Sequence, residues 1–337
     1  MIQISKRVNA LFLSVLLLHL TASIILSMLL LRSFSIGLPV QLIISELSIL
    51  IPGFLFLLLH NCNLTEWLSF RKMKWSSVGL TILFTYLLMP LISFVNVFSQ
   101  LFDSNTVLGM SDEIVSMPAV LMVFIMGFVG PFCEEFVFRG IIFNGYKKTG
   151  RLLGALLLSS LLFGLMHMNF NQFCYAFVLG ICFALLVEAT GSLWSSVIGH
   201  VIVNTHNVVM LFGVQKLYAA IGIDMNEIYE QGMTLDSKLY ALGLFLILSV
   251  VFTALAVMVF ITICKNEGKE EHMRAIFRRR LPEKTGQMPG ESEQIGETGQ
   301  RPGGKARLVT VSGWLGIAIC LFMMFGLTPL VRLFGFE

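Results

Sequence analysis

The stretch "PFCEEFVFRG" (Pro131 to Gly140) sets two adjacent carboxylates and a guanidinium inside a run that is otherwise apolar. Ionisable groups at the centre of a bilayer are costly and usually mark function. Further along, "FGLMH" (Phe163 to His167) and "HVIVN" (His200 to Asn204) place two imidazoles and a carboxamide in apolar runs of their own. Helix geometry sorts these groups. Residues four apart share a face, so Glu135 and Arg139 can pair, while Glu134 points about 100° away and is left without that partner. The same spacing puts Phe163 with His167, and His200 with Asn204. Each set also has a plain structural reading: charges that fix helix packing, a hydrogen-bonded histidine near a helix end, an interhelical His–Asn pair. Together they suggest a hydrolytic site. The Glu134 carboxylate can take a proton from water. His167 and His200 can orient water, shuttle protons or ligate a metal, and the Asn204 amide can donate to an oxyanion. His206 is turned about 120° from His200 on the same helix and is left out of the set.

These groups need a scaffold, and the composition supplies its class. Of 337 residues, 56% are hydrophobic and 13% charged, against about 25% charged in soluble domains. Apolar runs of about 20 residues, each able to cross the hydrocarbon as a helix, recur near 8–31, 38–59, 75–98, 117–144, 152–168, 172–189, 192–213, 239–264 and 309–333. The expected fold is all-α: a polytopic membrane bundle of about nine transmembrane helices around an intramembrane polar cavity. A β-barrel would alternate instead. The first run follows Lys6 and Arg7 but is too long for a signal-peptide core, so it is read as an uncleaved span. With ordinary tilt, the four polar side chains lie roughly 12–24 Å from the inner ends of their spans and can meet at one depth.

Loop charge orients the bundle. "RKMK" (Arg71 to Lys74), the Lys147, Lys148 and Arg151 group, and "FRRRLPEK" alternate with loops carrying Asp103, Asp112 and Glu113, or Asp224, Glu227, Glu230 and Asp236. The N-terminus is therefore expected on the cytoplasmic face of the cell membrane. The organisation expected is N-terminal spans over 1–116, a catalytic core over 117–213, an outer loop and span over 214–264, a flexible basic cytoplasmic linker over 265–308, and a last span over 309–337. "MRAIFRRR" in the linker is expected to be a solvated charge cluster, with a basic helix lying on anionic lipid as the alternative. Six cysteines are scattered without a CxxC pair, so neither a disulfide framework nor a cysteine metal site is expected. The net charge of +3 gives no indication of nucleic acid.

The three motifs in this order, "EEFVFR", "FGLMH" and "HVIVN", resemble the CPBP family of intramembrane proteases, which takes in CAAX prenyl proteases and bacterial bacteriocin-processing or immunity proteins. "EATGSLWSSVIGH" resembles the family's usual lead into its third motif. The resemblance covers about residues 117–213. It implies that Glu134 activates water with His167 beside it, that His200 helps bind water or substrate, that Asn204 stabilises the oxyanion, and that Glu135 and Arg139 support the site. It implies a peptide or protein substrate beside or in the bilayer, membrane-associated or prenylated, or a leader peptide.

A divalent metal such as zinc could be held by Glu134, His167 and His200. HExxH is absent and the resemblance also suits a metal-free glutamate mechanism, so the reading leans to no tightly bound metal. An aspartyl protease is disfavoured because all four Asp residues lie in loops, and a rhomboid-like serine site lacks its sequence context. Two further readings stand beside the endopeptidase: a non-enzymatic immunity or regulatory scaffold of the same fold, and a proton-coupled transporter. The transporter ranks last because no paired halves are visible.

Overall fold

The computed structural model describes residues 2–61, 63–103, 105, 109–222, 234–277 and 307–327. Among these the chain forms helices and no strands. In order they are α1 (Ile2–Leu31), α2 (Leu38–Leu59), α3 (Leu64–Leu68), α4 (Trp75–Ser99), α5 (Ser111–Ser116), α6 (Ala119–Lys147), α7 (Leu152–Met166), α8 (Phe170–Thr190), α9 (Leu193–Ala220), α10 (Leu235–Asn266), α11 (Glu270–Phe277) and α12 (Val311–Leu327). Seven of them, α1, α2, α4, α6, α8, α9 and α10, are long and apolar enough to cross a membrane, and α7 and α12 are shorter apolar helices. Together they correspond to the nine spans expected. The outward faces suit hydrocarbon: Ile24 and Met28 on α1, and Leu244, Ile247 and Val250 on α10, are exposed. In water such faces would be a liability. The protein is an all-α multi-pass membrane bundle.

The bundle is built around α6. Every residue of its Phe136–Phe143 stretch is buried, and this stretch touches α1, α2, α3, α7, α8 and α9. The sequence suggests a regular helix here. Instead, π-helical turns at Ile125–Val129 and Phe136–Phe143 flank a short α segment, Gly130–Glu135. Pro131 gives a physical reason for the first turn. It has no N–H to donate, so the carbonyls of Met126 and Gly127, five and four residues back, lose their usual donor. The neighbouring helix supplies replacements. Asn204 Nδ2 donates to Met126 O (3.2 Å) and Thr205 Oγ1 to Gly127 O (3.5 Å). Such π turns frequently accompany functional sites.

The turn between α8 and α9 is short. Gly191 closes α8 at φ +67°, a conformation that glycine adopts without a side-chain clash. Ser192 then caps α9, accepting from Trp194 N (3.3 Å) and donating to Arg71 O (2.5 Å). This turn fixes where α9, and therefore His200, enters the bundle.

The basic segments gather at one end. Lys147 Nζ lies 2.6 Å from Glu188 Oε2, and His272 Nε2 lies 2.5 Å from Glu188 Oε1. The Lys74 ammonium bonds Asn266 O, and Lys74 N donates to Glu267 Oε1 (3.1 Å). At the other end Asp103 Oδ2 accepts from Asn169 Nδ2 (3.2 Å) and Lys238 Nζ donates to Gln100 O (2.9 Å).

The linker expected over 265–308 differs at its start. Lys265 and Asn266 finish α10, and Glu270–Phe277 is helix α11. Met273 is buried, and it and Ile276 pack on the core formed by α4, α8 and α10. Met273 and Ile276 of "MRAIFRRR" are therefore packed on protein, while Arg274 between them stays exposed. The sequence conceals this because two apolar residues three apart, Met273 and Ile276, set among charges look like a solvated stretch until their partners are known. Residues 278–306, with the rest of the linker, and 328–337, the end of the last span, lie outside the described residues, as does the outer-loop stretch 223–233.

Candidate active site

Two helices, α6 and α9, build one ion-paired chain. Arg139 Nη1 donates to Glu135 Oε1 at 2.8 Å, the pair expected from the four-residue spacing, and both side chains are buried. The same Glu135 oxygen lies 2.9 Å from His200 Nδ1. His200 Nε2, on the far side of the ring, lies 3.5 Å from Glu134 Oε2. His200 thus bridges two adjacent carboxylates of different standing. Glu135 is neutralised by Arg139. Glu134 keeps 14% of its side chain exposed, against 0% for Glu135. The adjacent glutamates point apart, as helix geometry requires.

Aromatic rings hold this chain in place. The Arg139 guanidinium lies 4.0 Å from the Phe163 ring centroid and 5.5 Å from that of Phe183, an arrangement in which the ring faces attract the cation. Gly180 lets α8 close on α7 beside the guanidinium, because a Cβ there would sit 2.9 Å from Ser160 Cβ and 3.3 Å from Arg139 Nη2. His200 stands edge-on to Phe163 (5.8 Å) and tilted on Phe183 (5.1 Å). Phe163 also stands edge-on to His167 at 5.3 Å. The two imidazoles therefore both pack against one ring, the phenylalanine of "FGLMH". His167 ends α7, and the next residue, Met168, takes φ +51°, a strained conformation for a non-glycine residue.

Asn204 stands one turn beyond His200 on α9. Its amide is committed in part to Met126 O, a bond the sequence did not suggest. His206 stands edge-on to Tyr86 (6.0 Å). The expected cavity is thus a tightly packed polar cluster whose most open carboxylate is Glu134. Among the described residues, no three His, Cys, Asp or Glu side chains converge at metal-ligand spacing.

One ionisable group beside this cluster was absent from the sequence reading. Glu46 lies in the run "IISELSIL" of α2. Its Oε1 is 3.2 Å from where a Cβ on Gly130 would sit. The signal was available, since a carboxylate inside an apolar span is a candidate by default. Nothing near it in the sequence suggested a partner.

Residues 116–206 match the family described as Type II CAAX prenyl endopeptidase Rce1-like. Among curated proteins, the chain is 33% identical over 109 residues to "Putative membrane peptidase YdiL" of Bacillus subtilis (strain 168). That alignment covers 32% of this chain and 43% of the relative, so the chain spans less than half the length of the curated protein it matches. No solved structure matches the chain significantly. The segment similar to that family holds the whole Glu134–Glu135–Arg139–His167–His200–Asn204 set.

Proposed function

We propose that the protein is an intramembrane endopeptidase that hydrolyses a peptide bond in a membrane-associated, prenylated or leader-peptide substrate, using water activated by Glu134. The observation that carries this reading is the contrast across His200: one carboxylate sealed in an ion pair, the other partly open and 3.5 Å from the imidazole. In this reading Glu134 takes the proton as water attacks the carbonyl carbon. Glu135, fixed by Arg139, accepts the hydrogen bond of His200 Nδ1 and so turns Nε2 toward Glu134 and the water. His167, which packs against the same Phe163 ring as His200, flanks the water. An amide has two N–H donors. The Asn204 donor on Met126 O sets the orientation of the group, and the other is available to the oxyanion. The 117–213 stretch is the catalytic core of this proposal, and the flanking spans select what reaches it. The gathering of basic segments at one end supports an N-terminus on the cytoplasmic face of the cell membrane.

The test is cleavage by the full chain in liposomes of a panel holding prenylated C-terminal peptides, leader peptides and unmodified transmembrane peptides, read by mass spectrometry of the new termini. Wild type is expected to cut members of one class at a defined bond. If no class is cut, and Glu134→Gln keeps the cellular phenotype of wild type, the scaffold reading replaces this one.

A further inference from the structure

A notch opens at the basic end of the bundle. It is lined by Ile4 and Arg7 of α1, by Phe56 of α2 and His60 just past it, and by Trp67 of α3. Three contacts fix Trp67. Its carbonyl accepts from Asn144 Nδ2 of α6 (2.7 Å). Its ring stands edge-on to Phe56 at 5.6 Å. Gly145 of α6 leaves room for that ring, because a Cβ there would sit 3.1 Å from Trp67 Cζ3 and 2.5 Å from Val8 Cγ2. Lys148, the residue after α6, holds its Nζ 3.9 Å from the centroid of the same ring. Two basic side chains, from α1 and from the end of α6, therefore border one fixed indole. Among the described residues, no carboxylate pairs with Arg7 and no acceptor meets the Trp67 indole N–H.

The chemistry of the notch selects its occupant. A guanidinium, an ammonium and an indole N–H are donors suited to a phosphate. Ile4 and Phe56 make the lining between them apolar. Leu55, Leu58 and Leu59 of α2 and Leu64 of α3 are exposed nearby, and such side chains suit hydrocarbon. Tryptophan is enriched at the membrane–water boundary, and basic pockets between transmembrane helices bind anionic headgroups. Free phosphate would use only the charges, whereas a phospholipid uses the charges and the apolar flank together. We propose that this notch binds the headgroup of an anionic phospholipid. Arg7 and Lys148 take the phosphate, Trp67 donates its N–H, and the acyl chains run along α2. Arg7 and Trp67 lie outside the stretch similar to the peptidase family and Lys148 lies inside it, so a bound lipid ties the first helices to the end of α6.

The test uses the full chain in phosphatidylcholine vesicles, with Trp75, Trp194 and Trp314 replaced by Phe so that Trp67 alone fluoresces. Brominated phosphatidylglycerol or brominated phosphatidylcholine is added in rising share, and quenching of Trp67 reports the lipid beside it. Each basic side chain near an anionic lipid is worth about fivefold in affinity. Phosphatidylglycerol should therefore be preferred by about fivefold or more, and Arg7→Gln with Lys148→Gln should abolish the preference. Lys265→Gln with Lys269→Gln removes two charges on and just past α10 and should leave it unchanged. Native mass spectrometry of the chain with all four tryptophans gives a second reading: it should retain phosphatidylglycerol over phosphatidylcholine, and the Arg7 and Lys148 variant should not. The proposal is overturned if the two lipids quench or are retained alike. It is also overturned if the Lys265 and Lys269 changes reduce the preference as much as the Arg7 and Lys148 changes, which would mean surface charge alone. Relief of quenching by inorganic phosphate would overturn it too, because the ligand would then be the free anion.

Discussion

Glu134→Gln should lower kcat by about 10³-fold or more and leave the thermal melt of the protein within error of wild type. General-base catalysis is commonly worth 10²–10⁴ in rate, and Glu134 is the proposed base. Glutamine has the shape of glutamate but cannot accept the proton. The site tolerates the change because Glu134 is the partly open carboxylate and has no salt bridge to Arg139. Glu135→Gln provides the contrast. It removes the acceptor of both Arg139 and His200, so it should lose stability along with activity. If Glu134→Gln kept more than a tenth of the rate, the carboxylate would not be the base.

Arg139→Met should cost about 3–5 kcal/mol, the usual penalty when one partner of a buried ion pair is removed. Arg139 is 1% and Glu135 0% exposed, so water cannot take over the lost interaction, and His200 becomes the remaining partner of a buried carboxylate. The guanidinium also fills the space between Phe163 and Phe183. Arg139→Lys should recover only part of the loss, because an ammonium carries the charge but not the planar fork that pairs and stacks. The decisive comparison is the double variant Arg139→Met with Glu135→Gln. Removing both charges leaves no uncompensated ion, so the pair of changes should destabilise by clearly less than Arg139→Met alone. Melting curves in detergent measure all three. Additive losses in the double variant would mean the two residues act independently, contrary to the geometry.

Much of this site was legible because its residues obey local rules. The four-residue spacing of Glu135 and Arg139 gave their ion pair, and the same spacing gave Phe163 beside His167 and His200 above Asn204. The apolar runs gave the spans, since a bilayer demands length and continuity of each helix separately. Contacts between distant segments did not show. Glu46 meets Gly130 only after α2 packs on α6, and its own neighbours in sequence carry no charge. Glu188 is joined by Lys147 and His272 from two other segments, so the docking of α11 had no local signature. The π turns of α6 were hidden for another reason. A helix apolar on nearly every face shows the same pattern with 3.6 or 4.4 residues per turn, and only Pro131 hinted at the change. Asn204 shows the limit of reading roles from spacing, since the position expected to serve an oxyanion also completes the hydrogen bonding of a neighbouring helix.

The central claim is that Glu134 activates water instead of attacking the peptide itself. A single turnover in water labelled with heavy oxygen, with enzyme in excess over peptide, tests it directly. The account predicts one labelled oxygen in the new carboxylate of every product molecule in that first turnover, and none in the protein. Label found in the Glu134 side chain, or first-turnover product without label, would contradict it, because the oxygen joined to the substrate would then have come from the enzyme.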